Sequence, residues 1–184
     1  MPPDILIRRL IDIPDAATVV PGVDAVFFDA SNTKSFADAE ARAVFRERWL
    51  GRYLTHDPQW FYVAFASDGG VAGYLSGCLD DPARASRFSD IAYFAVWRDL
   101  TRQFPAHLHV NLAPQYRGSG AGSALVARFV AEAADGGAPG VHVVTSRGAR
   151  NVRFYERNGF TEHGAFGAGA REVVFLARKL GRSL

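Results

Sequence analysis

Apolar and polar positions recur along the chain with periods that divide it into short elements. Residues 5–10 are a brief apolar and basic run that predicts a first strand, ended by Asp12 and Pro14. Residues 15–28 are apolar enough for a helix, and a stronger one is predicted from Ser35 through 36–54. There Phe36, Ala39, Ala43 and the run 45–50 recur at near-helical spacing, while Glu40, Arg42, Arg46, Glu47 and Arg48 cover the other side. Residues 60–66 and 71–79 read as two strands around Ser67-Asp68-Gly69-Gly70, a hairpin turn. Residues 80–105 fit neither period. They open on the polar turn Asp80-Asp81-Pro82-Ala83-Arg84 and carry Phe88, Tyr93, Phe94, Trp97 and Phe104, with 91–100 as the candidate for a helix. A connection of this length is usually a lid or a binding loop unless it holds a helix of its own.

The second half is more regular. Residues 106–113 predict a strand with His107, His109 and Asn111 on one face and Leu108, Val110 and Leu112 on the other. A helix over 120–134 has an apolar stripe of Leu125, Val126, Phe129, Val130 and Ala133, and stops at Gly136, Gly137, Pro139 and Gly140. Residues 141–145 read as a buried strand and 149–158 as a helix closed by Gly159. Residues 160–166 and 172–179 then make a last hairpin around Gly167-Ala168-Gly169. No internal repeat, low-complexity tract or linker interrupts the series.

A length of 184 residues, 48% hydrophobic and 22% charged, suits one domain over 1–184 with an aromatic-rich insertion at about 80–105. No apolar run approaches the roughly 20 residues that cross a bilayer. Met1-Pro2-Pro3-Asp4 has no charged and apolar leader, so a cytoplasmic protein without a membrane partner is expected. The one cysteine, Cys78, excludes an internal disulfide and a multi-cysteine zinc site, and is expected to pack in its strand. The net charge of +2 hides an asymmetry: residues 1–116 sum to −3 and residues 117–184 to +5. Without a basic run interleaved with aromatics, nucleic acid is not the expected partner. The asymmetry fits a local anion site or a solvated basic face.

The sharpest feature is Leu112-Ala113-Pro114-Gln115-Tyr116-Arg117-Gly118-Ser119-Gly120-Ala121-Gly122-Ser123. A strand runs through alternating glycines into an amphipathic helix, so free backbone N–H groups and the positive end of a helix dipole converge on one point. Glycine lets a bulky anion approach the backbone and permits positive φ, and Arg117 adds a charged fork. This is a pyrophosphate cradle in physical terms. A nucleotide P-loop would need Lys followed by Ser or Thr after its last glycine, whereas Ser123 follows Gly122 directly. A dinucleotide fold would put the loop after its first strand rather than after several.

Arg117-Gly118-Ser119-Gly120-Ala121-Gly122 resembles the acyl-CoA loop of the GNAT family of N-acetyltransferases: Arg or Gln, two residues, Gly, one residue, Gly or Ala. Asn151-Val152-Arg153-Phe154-Tyr155-Glu156-Arg157-Asn158-Gly159-Phe160 is similar to a later helix of that family. The resemblance is specific over 106–166 and general elsewhere. It implies the GNAT fold, an α/β (α+β) architecture whose central mixed, mostly antiparallel sheet of about six to seven strands is flanked by helices. More narrowly, Phe104-Pro105-Ala106-His107-Leu108-His109-Val110, Gly140-Val141-His142 and Leu180-Gly181-Arg182-Ser183-Leu184 resemble the C-terminal acetyltransferase-like domain of animal O-GlcNAcase. Animal versions of that domain have a degraded glycine loop, and here the loop is intact.

The GNAT resemblance implies transfer of acetyl from acetyl-CoA to an amine of a small molecule or peptide by direct attack, with no metal. The alternative it leaves is a pseudo-acetyltransferase that binds acetyl-CoA as a sensor or interaction module. Backbone groups around Leu112 and Ala113 would hold the acetyl and pantetheine. Arg117 with Gly118, Ser119, Gly120, Ala121, Gly122 and Ser123 would hold the pyrophosphate. Asn151 would bond the pantetheine arm and Phe154 would pack near it. Tyr155, a phenol with pKa about 10, is the candidate general acid for the departing thiolate, and is otherwise a core tyrosine. His109 and Asn111 are the acceptor-side candidates, with Asp90 and Asp99 behind them. His107 and His109 could instead ligate a metal, but no third ligand has suitable spacing. Residues 88–104 could wall an acceptor cavity or bury their rings on the sheet. The −3 of the first 116 residues would suit a cationic amine.

Overall fold

In a computed structural model that describes residues 5–181, the apolar runs become β1 (Leu6–Arg9), β2 (Phe61–Phe65), β3 (Val71–Cys78), β4 (Ala106–Leu112), β5 (Gly140–Ser146), β6 (Thr161–Phe166) and β7 (Val173–Lys179). Met1-Pro2-Pro3-Asp4 and Arg182-Ser183-Leu184 of the sequence readings lie outside the described residues. The strands form one sheet of order β1-β2-β3-β4-β5-β7-β6. β4 and β5 are parallel, whereas β1–β2, β2–β3, β5–β7 and β6–β7 are antiparallel. The expected mixed, mostly antiparallel sheet flanked by helices is therefore present. The helices are α1 (Val20–Ala30), α2 (Ala39–Arg46), α3 (Arg52–His56), α4 (Ala92–Val96), α5 (Arg98–Gln103), α6 (Ala121–Asp135) and α7 (Arg150–Arg157). No helix among the described residues is long and apolar enough to cross a membrane.

The chain divides into two compact units, one of residues up to Gly77 with His109–Val126, the other of Cys78–Leu108 with the residues from Ala127 onward. In the first, β2 and β3 are buried on both faces, which is why they read as continuous apolar runs rather than alternating ones. Gly73 permits a close approach: a Cβ there would collide with the Leu112 side chain and the Asn111 carbonyl. The helices start later than predicted. Pro21, which has no N–H to donate, is placed in the first turn of α1. Asp38 caps α2 by accepting from the Ala41 amide at 2.7 Å, so Phe36 lies outside the helix, against Phe28 and Phe45. Beyond α2 the chain winds as a π-helix over Glu47–Gly51 before α3.

In the second unit the expected helix over 91–100 is two short ones, α4 and α5, meeting at Trp97. The question left open for residues 88–104 is answered on the side of burial. Phe88, Phe94, Trp97 and Phe104 are all buried. Trp97 meets Phe175 edge-on at 5.3 Å, and His142 stacks on Phe175 at 4.4 Å. The rings form core because they are too apolar to leave in water once β5 and β7 offer a facing surface. Cys78 is fully buried, and its sulfur accepts from the Asp80 amide at 3.3 Å and from Arg87 Nη2 at 3.0 Å.

Candidate active site

The glycine loop lies within the first unit. β4 ends at Leu112, and the Ala113 amide donates to the Ala72 carbonyl at 2.9 Å. A single turn at Pro114–Tyr116 then leads to Gly118, with φ +81°, and Gly120, with φ +90°. A Cβ at either glycine would meet nothing, so conformation rather than space dictates glycine there. Ser119 Oγ donates to the Tyr116 carbonyl at 2.7 Å and accepts from the Ala121 amide at 3.3 Å, locking the turn. The amides of Gly118, Gly120 and Gly122 have no acceptor among the described residues. They precede or open a 15-residue helix with no acid in its first turn, held down by buried Ala121, Leu125 and Val126. A neutral nest of donors at a helix dipole's positive end fits a pyrophosphate. Arg117 is already engaged: Nη2 meets Asp29 at 3.2 Å and Nε donates to the Leu112 carbonyl at 3.2 Å.

On the same unit, His109 is partly buried on β4 between two rings of the preceding helical stretch. Trp49 and Tyr53 meet it edge-on at 6.0 and 5.6 Å, and the Tyr53 hydroxyl shares a hydrogen bond with Nε2 at 3.3 Å. Burial, and then the nearby charge of Arg52, push the imidazole down to about 4, so it is neutral at pH 7. Asn111 Nδ2 donates to the Tyr74 hydroxyl at 2.8 Å, and Tyr74 stacks on Phe61. Trp49 and Tyr53 were not singled out by sequence. Their spacing of four residues on an apolar stripe reads as ordinary core, and Tyr53 meets His109 across 56 positions of chain.

The second unit carries the later motif. On α7, Asn151 Oδ1 accepts from Thr145 at 2.9 Å, so its amide nitrogen is the group that can donate to a further acceptor. Phe154 meets Tyr155 at 5.1 Å, and the buried Tyr155 meets Phe160 at 5.7 Å. Gly159, at φ +83°, ends the helix as predicted. The parallel ladder of β4 with β5 has only the pairs Ala106↔Val141 and His107↔His142, although each strand has seven residues. His107 is buried against Phe88 and His142 in this unit, so the two histidines of the His-x-His pair have different surroundings. Among the described residues no group of three His, Cys, Asp or Glu is placed to hold a metal. Asp99 is exposed and pairs with Arg102.

The profile of the Acetyltransferase (GNAT) family matches residues 26–160, a span that includes the glycine loop and α7. The chain belongs to the GNAT acetyltransferase family. This GNAT protein also shares its fold with solved structures of low identity. SsHAT is 23% identical with a TM-score of 0.72, over 97% of this chain and 100% of that one. An acetyltransferase of the GNAT family from Streptococcus pneumoniae is 20% identical with a TM-score of 0.62, over 97% and 100%. The Salmonella typhimurium protein yncA, solved with its cofactor acetyl-CoA, is 19% identical with a TM-score of 0.56, over 98% and 96%. GNAT membership makes this chain an N-acetyltransferase.

Proposed function

We propose that this acetyltransferase moves the acetyl group of acetyl-CoA directly to an amine of a small molecule or peptide, without a metal. The observation that carries the reading is the pair of positive-φ glycines, Gly118 and Gly120, whose amides open α6 without internal acceptors. Acetyl-CoA supplies the activated thioester. Backbone groups around Leu112 and Ala113 orient the acetyl and pantetheine portion. The amides of Gly118, Gly120 and Gly122 receive the pyrophosphate, while Ser119, Ala121 and Ser123 shape the loop around them and Arg117 lies beside it. Asn151 offers Nδ2 to a pantetheine carbonyl, and Phe154 packs against the arm. Tyr155 holds a proton on its hydroxyl for the leaving sulfur.

On the acceptor side, His109 and Asn111 orient the amine. An imidazole held neutral down to about pH 4 is a poor acceptor for an ammonium proton at pH 7, so His109 serves better as a hydrogen-bonding guide than as a strong base. The buried Arg52 beside it disfavours a cation. This argues against the cationic amine that the acidic first half suggests, and for acceptors that present a neutral amine.

Calorimetric titration with acetyl-CoA tests donor binding, and an amine library read by mass spectrometry of acetylated products tests transfer. Binding with no product from any amine would favour the sensor reading over the enzyme. For Tyr155→Phe, turnover of a confirmed acceptor is expected to fall about 10²-fold or more, while acetyl-CoA affinity changes little. Equal turnover in the two proteins removes Tyr155 from the acid role.

A further inference from the structure

Two polar side chains of β4 are braced in the same way, and both braces lie within the first unit. His109 and Asn111, two residues apart, share a face of the strand and are only partly buried. The Tyr53 hydroxyl meets His109 Nε2 at 3.3 Å, and the Tyr74 hydroxyl accepts from Asn111 Nδ2 at 2.8 Å. Tyr53 and Tyr74 are themselves buried, so packing fixes where each hydroxyl lies. Each brace occupies one polar end of its partner. The other ends, His109 Nδ1 and Asn111 Oδ1, have no hydrogen bond among the described residues.

With Nδ2 committed, Asn111 Oδ1 is an acceptor. A neutral imidazole has one N–H and one lone pair, so when Nε2–H donates to the Tyr53 oxygen, Nδ1 is an acceptor as well. Residues two apart on a strand are separated by roughly 6.8 Å. Two acceptors so placed can converge on the two N–H bonds of one primary amine and leave its lone pair for attack. An ammonium group finds no such welcome. Arg52, on α3, is the buried charge that acts on His109, whereas Asp57, buried at the end of that helix, does not shift it. An alkylamine, with pKa about 10.4, is almost wholly protonated at pH 7 and has no lone pair to offer. An aromatic amine is neutral there, because its lone pair is delocalised into the ring. Trp49 is half-buried and meets His109 edge-on at 6.0 Å, which leaves indole surface for such a ring to pack on.

We propose that His109 and Asn111, positioned by the hydroxyls of Tyr53 and Tyr74, select a primary aromatic amine as the acetyl acceptor, an inference that rests on the amine-transfer reading above. The amine nitrogen bonds to the acetyl carbonyl carbon as the carbon–sulfur bond breaks. One N–H proton leaves nitrogen and the sulfur departs as a thiol, so the exchange balances. The full chain with acetyl-CoA is tested at pH 7 against aniline, benzylamine and N-methylaniline, with acetylated product read by mass spectrometry. Aniline is expected to have a kcat/KM at least about tenfold above either of the others. Tyr53→Phe, which keeps the ring, is expected to lower kcat/KM for aniline about tenfold while acetyl-CoA affinity by calorimetry is unchanged. Nitrogen-15 NMR of the His109 ring, assigned with His109→Gln, is expected to show the proton on Nε2 in the wild type and a mixture of tautomers in Tyr53→Phe. A preference for benzylamine, equal rates for N-methylaniline, or a wild-type proton on Nδ1 overturns the substrate class. Product from alkylamines alone overturns the class and leaves the transfer reading standing. No product from these three or from the wider amine library overturns the transfer reading, and this class with it.

Discussion

His109 combines a titratable ring with a setting that resists its charge. Its unfolded value is near 6.5 and its folded value about 4, so between these pH values the unfolded chain binds the proton and the folded one does not. Its contribution to stability is therefore fully present above about pH 6.5 and is lost as pH falls toward 4. The partly exposed edge of the ring moderates the loss, which is on the order of 2 kcal/mol. Urea unfolding from pH 7 to 4 is expected to give a shallower decline for His109→Gln than for the wild type. Superimposable declines would contradict the desolvated setting. His109 itself was legible in the sequence as a titratable residue of the strand over 106–113, flanking the expected acetyl position. Its low proton affinity was not, because Trp49, Arg52 and Tyr53 reach it only through tertiary packing.

Short elements explain where the sequence reading succeeded and where it slipped. The turns at Ser67–Gly70 and Gly167–Gly169, the strand that becomes β4 and the helix that becomes α6 follow from local chemistry and lie close to where they were expected. The π-helix at Glu47–Gly51 had no such signal. Its apolar stripe also fits an unbroken α-helix, and only the turn geometry shows the wider winding. At Gly73 one strand directly constrains its neighbour. Gly73→Ala is expected to cost about 1–3 kcal/mol, since the obstacle includes the Asn111 carbonyl, which cannot rotate away as a side chain does. It should also weaken acetyl-CoA binding through Leu112. Thermal melts and calorimetry on the one variant measure both effects, and an unchanged melting temperature would refute the close approach.

For the molecule as a whole, the distribution of charge and of rings decides which surfaces are available for chemistry. The aromatic stretch before β4 was ambiguous in sequence because rings that wall a cavity and rings that fill a core have the same composition. Packing assigns them to the core of the second unit, where Trp97 and Phe104 join Phe175 and Ala177. Trp97→Ala is accordingly expected to destabilise by about 3–5 kcal/mol, read by denaturant unfolding. A loss below about 1 kcal/mol would return the stretch to the surface. The basic second half divides into arginines already matched by carboxylates, such as Arg147 with Glu162 and Glu172, and Arg150, Arg153 and Arg157 on α7, which have no ion pair among the described residues. Cys78 has a practical consequence. It is the chain's single thiol, and with its sulfur fully buried beneath Arg87 and the Asp80 amide it is shielded from bulky electrophiles. A maleimide dye or an aromatic disulfide added to the native protein would therefore report the liberated coenzyme against almost no background from the enzyme, so acceptors can be screened continuously without mutating the cysteine.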